Sequence, residues 1–181
     1  GNVVNASPAA DMIPALLVLD SLVWIRSWNG QARQIPLEAF LLGNRKVDLA
    51  IGEIVTGFQF PAPDSATRHH FRKVQPRRAM AIAMLNLAIL MTVSDQKIMQ
   101  VRIAMGAVAP TAVRVKSIEK VLNDLPFHLA ENLDLYTGIS QDILPISDFR
   151  ASREYRLRVA QNLLREAILE MIGSTKTVDH G

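Results

Sequence analysis

The apolar run AMAIAMLNLAILMTV at 79–93 constrains the fold more than any other stretch, because so long an uncharged segment has to be buried and few arrangements can bury it. It is interrupted by Asn86 and is shorter than the roughly 20 residues a helix needs to cross a bilayer, so it reads as protein core. Its alanines, leucines and methionines are good helix formers. The residues that follow argue for a strand. VSDQK is a turn, and in IMQVRIAMGAV the residues Met99, Val101, Ile103 and Met105 alternate with Gln100, Arg102 and Ala104, the period of a strand with one wetter face. Pairing the two segments across Ser94 and Asp95 predicts an antiparallel hairpin, with a helical turn left open for the early part of the run.

Elements on either side of this hairpin follow from the same periodicities. In MIPALLVLDSLVWI, the residues Ile13, Leu16, Leu17 and Leu19 gather on one side of a helix whose early turn tolerates Pro14. SLVWIRSW then alternates Leu22, Trp24 and Arg26 against Val23 and Ile25, which predicts a strand, and Asn29-Gly30 is a strong hairpin signal. IPLEAFLLG reads as a short buried turn or helix, and EIVTGFQFP as a strand ended by Pro61. FQFPAPDSATRHHFRK supplies the clearest boundary, near residues 61–68. About 60 residues upstream of it are too few to look complete without neighbouring structure.

Beyond Pro110 the pattern turns helical. SIEKVLND, 117–124, is expected to start a helix at Ser117 with Glu119 in its first turn. DFRASREYRLRVAQNLLREAILEMIG presents Val159, Leu163, Ala167 and Met171, flanked by Ala160, Leu164 and Ile168, against an outer side of Arg158, Gln161, Arg165 and Glu166. Gly173 can end it. The expected class is α+β, a sheet with helices packed on it, and TKTVDHG reads as a mobile tail.

Composition narrows the chemistry. The absence of cysteine excludes disulfides and thiolate-ligated metal centres within these residues and suits a reducing cytoplasm. A net charge of +3 with dispersed basic residues argues against nucleic-acid binding. His69 and His70 diverge if the segment is extended, His128 and His180 are isolated, and no metal-ligand spacing surrounds any of them. Paired carboxylates, a Ser-centred elbow and Gly-rich phosphate loops are all missing from the motif inventory. Two features stay open. Arg68, Arg72, Lys73, Arg77 and Arg78 in RHHFRKVQPRR either solubilise an edge or meet a phosphate-bearing ligand or acidic partner. Asn2, Asn5, Ser7 and Asp11 in GNVVNASPAAD either cap turns or offer hydrogen bonds to a polar cofactor.

Five motifs in order, GNVVNASPAADMIPALLVLD, PLEAFLLGNRK, GEIVTGFQFP, FRKVQPRRAMAIA and VRIAMGAVAPTAVR, resemble the FAD-binding medium subunit of molybdenum hydroxylases, the xanthine dehydrogenase and aerobic carbon monoxide dehydrogenase family. The likeness runs from residue 1 to about residue 172. It implies that 1–61 is the later part of a second FAD-binding lobe, 62–67 a linker, 68–173 a C-terminal domain with a three-stranded antiparallel sheet and a helical bundle, and 174–181 a flexible tail. Gly1 matches the second glycine of the family's Gly-Gly-Asn motif, which places the first lobe and its pyrophosphate loop outside the residues shown.

The resemblance also assigns residues. Gly1, Asn2, Asn5, Ala6, Ser7 and Pro8 fall where the family lines its FAD cleft, Asp11 at a cofactor-contacting position, Val55 at an apolar position beside the flavin, and Lys73 at a basic position near it. Ala81 stands where some relatives have an acidic residue, so no interaction is carried over there. No catalytic residue and no metal ligand is assigned to this chain. Molybdenum cofactor and iron–sulfur clusters are expected only in large and small partner subunits, within a cytoplasmic hetero-oligomer that has no transmembrane segment here. Electrons would pass from those clusters through FAD to an external acceptor. The rival expectation is a non-catalytic adaptor that docks through the sheet and helices. An autonomous small-molecule enzyme comes third, for want of catalytic groups.

Overall fold

The computed structural model describes residues 1–75, 82–145 and 152–173. Its elements, in order, are α1 (Met12–Val18), β1 (Leu22–Ser27), β2 (Ala32–Pro36), α2 (Leu37–Phe40), β3 (Leu41–Gly43), β4 (Lys46–Val47), β5 (Glu53–Gln59), β6 (Thr67–Val74), β7 (Leu85–Ser94), β8 (Lys97–Gly106), β9 (Val113–Arg114), α3 (Lys116–Leu122), β10 (Leu125–Pro126) and α4 (Arg153–Gly173). Two 3₁₀ segments, Phe127–Leu129 and Leu133–Gln141, lie between β10 and α4. The result is the expected α+β class.

The apolar run becomes the centre of the second sheet. β7 pairs antiparallel with β6 on one side and β8 on the other, and the two-residue strands β9 and β10 extend the β8 side. The hairpin turn falls at Asp95 and Gln96, both with positive φ (+49° and +60°). That conformation fits the twist of two antiparallel strands. It lies one residue later than the expected break at Ser94 and Asp95. Residues 82–84 are not helical, and 79–81 lie outside the described residues.

Both faces of β7 are covered, which is why its sequence hides its alternation. Leu85, Leu87, Ile89 and Met91 join a core with Ile103, Met105, Ile118, Leu164 and Ile168, on the side of α3 and α4. Ala88 and Leu90 point the other way, into a core with Ile13, Leu17, Val23, Ile25 and Phe40. Four large side chains thus face α3 and α4, while on the other face Ala88 and Ala104 leave room for α1 against β7 and β8. Each fully buried Leu or Ile contributes ~1.5–3 kcal/mol.

The N-terminal residues form their own antiparallel sheet in the order β2-β1-β5. β1 alternates as expected, with Val23 and Ile25 buried and Trp24 and Arg26 exposed. Asn29-Gly30 turns the hairpin, with Gly30 at φ +88°. A bulge between Trp24 and Ile25 shifts the pairing with β5. The apolar side of this sheet shares one cluster with α1, Ala88, Leu90 and Ala104, so the N-terminal region does lean on the second sheet for its core.

Two expectations need correction. A register shift between Thr92 and Val93 turns Ile98 inward and leaves Met99 half exposed, so strict alternation in β8 begins only at Val101. Ser117 does not cap α3: Val115 occupies the N-cap position, and Ser117 Oγ donates to the Gly138 carbonyl at 3.0 Å. Glu119 does fall in the first turn of α3, as expected. It is buried, accepting from Ile103 N at 2.7 Å and from Arg114 Nε at 2.6 Å.

α4 buries Ala160, Leu163, Leu164, Ala167, Ile168 and Met171 as the periodicity predicts, together with Arg156. Arg156 donates to the Ala107 carbonyl at 3.1 Å and also to that of Met84. Among the described residues no helix is long and apolar enough to cross a membrane.

Candidate functional site

GNVVNASPAAD folds as a chain of turns. Asn5 N donates to Gly1 O at 3.0 Å, Ala6 N to Val3 O at 2.9 Å and Ala10 N to Ser7 O at 3.0 Å. Ala6 is in the left-handed region at φ +43°, a conformation that costs a non-glycine residue ~1 kcal/mol or more. Its buried methyl group and its carbonyl, which accepts from Arg45 N at 3.0 Å, hold it there. Pro8 O accepts from Ala107 N at 2.7 Å and ties the turn to the end of β8.

The start of α1 settles which of the polar residues caps. Asn2 Oδ1 accepts from Met12 N at 3.3 Å, whereas Asp11, at the N-cap position, makes no capping bond with its side chain. The Asp11 carboxylate points to the second sheet instead. Its Oδ2 lies 2.7 Å from Lys73 Nζ, and its Oδ1 accepts from Asn86 Nδ2 at 3.2 Å. Asn86 Nδ2 also donates to the Ala10 carbonyl at 3.2 Å.

Sheet register brings these groups together. Lys73 on β6 is the direct partner of Asn86 on β7. Along β6, Arg68, His70 and Arg72 face α4, where Arg68 donates to Met171 O, His70 lies near Glu170, and Arg72 pairs with Glu170 at 2.9 Å. Lys73 is on the opposite face, toward α1. Asp11 and Lys73, 62 residues apart in sequence, therefore meet because α1 packs on β7 and the register of β6 sets Lys73 beside Asn86 at that place. Their side chains keep 43% and 24% exposure, so the pair adds at most ~1 kcal/mol to stability. Its chemical content is larger: a partly exposed carboxylate held by two donors, one of them the Lys73 cation.

The other expected residues distribute around this pair. Gly1, Asn2 and Asn5 are exposed on the same turn system. Ser7 and Pro8 line a separate cleft of about 370 Å³, shared with Arg45, Ala107, Pro110 and Arg156. Val55 is on β5 opposite Ile25 and packs on the cluster that contains Val3 and Ala10. Of the five cations in RHHFRKVQPRR, Arg72 and Lys73 are in ion pairs and Arg68 bonds a helix carbonyl; Arg77, Arg78 and Ala81 lie outside the described residues, as does the tail with His180. Among the described residues no three His, Asp or Glu side chains converge as metal ligands.

Asn86 is the member that the sequence did not single out for a role. The available signal was its polarity within an otherwise apolar run, and only the register with Lys73 and the approach of α1 give that polarity a partner. Gly106, opposite Asn86 on β8, leaves the room: a Cβ there would overlap Asn86 Oδ1 and stand 2.9 Å from Pro8 O.

Comparison with known proteins gives the family of the chain. Residues 1–63 match the FAD-binding domain in molybdopterin dehydrogenase, and residues 69–171 match the CO dehydrogenase flavoprotein C-terminal domain. The chain is 30% identical over 176 residues to the xanthine dehydrogenase FAD-binding subunit of Escherichia coli O157:H7, covering 96% of this chain and 60% of that protein. It is also 30% identical over 173 residues to the glyceraldehyde dehydrogenase medium chain of Sulfolobus acidocaldarius, covering 94% and 60%. A reconstituted CO dehydrogenase from Oligotropha carboxidovorans superposes with a TM-score of 0.84 at 26% identity, over 93% of this chain and 58% of that one. The chain thus spans about three fifths of the length of these relatives.

Proposed function

Because the chain belongs to the molybdenum hydroxylase and CO dehydrogenase flavoprotein family, we propose that it forms part of an FAD-binding electron-transfer subunit, with Asp11 and Lys73 at the cofactor. The observation that carries this reading is their meeting at 2.7 Å, with both carboxylate oxygens engaged. The resemblance assigned these two residues separately, and their ion pair supports reading them together.

The residues fit one part of FAD better than another. Lys73 is the one cation among the assigned residues, and Asp11 already balances its charge. Such a pair suits neutral groups that need one acceptor and one donor, at the flavin and ribityl end. It does not suit a diphosphate, which calls for uncompensated cations or a cluster of free backbone N–H groups. Asn2, Asn5 and the exposed backbone of the turn add further donors and acceptors. Gly1 allows close approach, with open space where a side chain would stand. Ala6, Ser7 and Pro8 hold the turn, and Val55 adds an apolar wall. Bound FAD supplies reversible two-electron chemistry, and the protein supplies binding, orientation and exclusion of water.

In the same reading, residues 1–61 are the later part of the second FAD lobe, 62–67 a linker and 68–173 the C-terminal domain. Molybdenum cofactor and iron–sulfur clusters sit in partner subunits of a cytoplasmic assembly, and electrons reach FAD from the clusters. The test is FAD titration of the full-length subunit. Asp11→Ala and Lys73→Ala are each expected to raise the Kd for FAD by about tenfold, the effect of one charge-assisted hydrogen bond. Unchanged Kd and unchanged flavin reduction in both variants would remove the pair from the site. A full-length chain that docks its partner subunits and takes up no flavin would favour the adaptor instead.

A further inference from the structure

Asn86 is a polar side chain with no exposure, set in a strand whose neighbours from Leu85 to Met91 are all buried and apolar. Its two N–H donors are used, one on Ala10 O and one on Asp11 Oδ1, while its own Oδ1 is buried with no hydrogen-bond partner among the described residues. The orientation of the amide is set by this surrounding. Turned over, it would aim its oxygen at a carbonyl and a carboxylate, both acceptors. A buried acceptor without a donor weakens a fold, and an apolar side chain of the same size would fill the position without that cost. β8 moreover keeps a glycine opposite, so that the amide has space. The core therefore accepts one unpaired buried oxygen, and what it gains in return is the pair of hydrogen bonds that fix the segment Ala10–Asp11.

We propose that Asn86 is a positioning residue of the flavin site: it holds the Asp11 carboxylate at the angle from which Asp11 and Lys73 together meet the cofactor. The inference rests on the reading that FAD is bound beside this pair. With Asn86 in place, Asp11 Oδ1 is anchored from the core and Oδ2 from Lys73, so both oxygens are held while the side chain stays 43% exposed. Without it, Asp11 keeps one tether on a flexible lysine, and the Ala10 carbonyl loses its donor.

The experiment uses the full-length subunit and measures, for wild type, Asn86→Leu, Asn86→Asp and Asp11→Ala, the Kd for FAD by flavin fluorescence and the thermal midpoint of the flavin-free protein. Asn86→Leu is expected to raise the Kd about tenfold while lowering the flavin-free midpoint by no more than the few degrees that one lost buried hydrogen bond accounts for; a merely structural asparagine would lower the midpoint and leave the Kd of the folded protein unchanged. Asn86→Asp sets a second carboxylate against Asp11 and is expected to bind FAD weakly near neutrality and better on acidification, when a proton shared between the carboxyls restores the bond; this covers the case in which Asn86→Leu fails to fold. A Kd within twofold of wild type in Asn86→Leu, or an Asn86→Asp affinity that does not improve on acidification, overturns the proposal when Asp11→Ala does weaken binding. If Asp11→Ala itself binds FAD normally, the placement of the flavin fails, and the positioning role falls with it.

Discussion

Removing the Glu119 carboxylate should cost more stability than any other single change to a charged residue described above. Arg114 and Glu119 meet in a bidentate pair, Nε to Oε1 at 2.6 Å and Nη2 to Oε2 at 2.8 Å, with side chains only 11% and 10% exposed. Glu119 Oε1 also accepts from Ile103 N at 2.7 Å, and Arg114 Nη1 reaches back to Leu17 O at 3.2 Å and to Asp20. The pair thus ties α3 and β8 to the end of α1. Burial alone would lower the proton affinity of the guanidinium. The hydrogen bonds and charge of Glu119, with Asp20 behind them, outweigh that and hold it above its ordinary value.

Glu119→Ala leaves a mostly buried cation with only the exposed Asp20 as counter-charge, and it leaves the Ile103 N–H without its acceptor. Breaking a buried pair from one side costs ~3–5 kcal/mol, and the surviving Asp20 contact puts the expectation at the lower end, ~3 kcal/mol. For a chain of this size each kcal/mol corresponds to ~2–4 °C in Tm, so a fall of roughly 6–12 °C follows. Urea unfolding followed by circular dichroism measures it, and a double-mutant cycle with Arg114→Ala should give a coupling of at least ~1.5 kcal/mol. A loss below ~1 kcal/mol, or additive single changes, would show that the pair does not bridge the two halves as its geometry implies.

Two further outcomes follow from individual residues. Gly106→Ala forces a methyl group against Asn86 Oδ1 and Pro8 O; overpacking of ~1–3 kcal/mol exceeds the ~0.4–1 kcal/mol gained from a stiffer unfolded chain, so calorimetry should record a lower Tm, and a gain would mean that the site relaxes freely. Burial holds His70 below its ordinary value of 6.5, with the Glu170 charge opposing and Arg72 and His69 adding to the effect. The unfolded chain therefore takes up a proton that the folded one resists, and this part of the stability is lost as pH falls below about 6.5. His70→Leu should flatten the decline of Tm between about pH 7 and about pH 5; an unchanged slope would assign the decline to other groups.

Local signals were strong wherever one residue decides its own backbone. Asn29-Gly30 marked its turn, the alternation in SLVWIRSW marked β1, and the stripe from Ala160 to Met171 marked the buried side of α4. They were weak where neighbours decide. Ser117 resembles a cap, yet a hydrogen bond to the Gly138 carbonyl claims its hydroxyl; Met99 keeps the right period, yet it is the unpaired residue where the register of β8 on β7 shifts, and it stays half exposed.

The candidate site divides in the same way. Asp11, Lys73 and the turn from Gly1 to Pro8 were legible through motif order, because their residue types sit at recognisable spacings. That Asn2 rather than Asp11 caps α1, that Asp11 is thereby released to Lys73, and that Asn86 anchors it from inside the core were decided by strand register and by the packing of α1 on the sheet. By itself the sequence determined the elements, the family and the residue types available for binding, since propensity, periodicity and motif spacing are properties of nearby residues. Tertiary structure decided which of those residues touch, because a contact between positions 62 or 75 residues apart depends on the pairing of whole strands and on the face each side chain then presents.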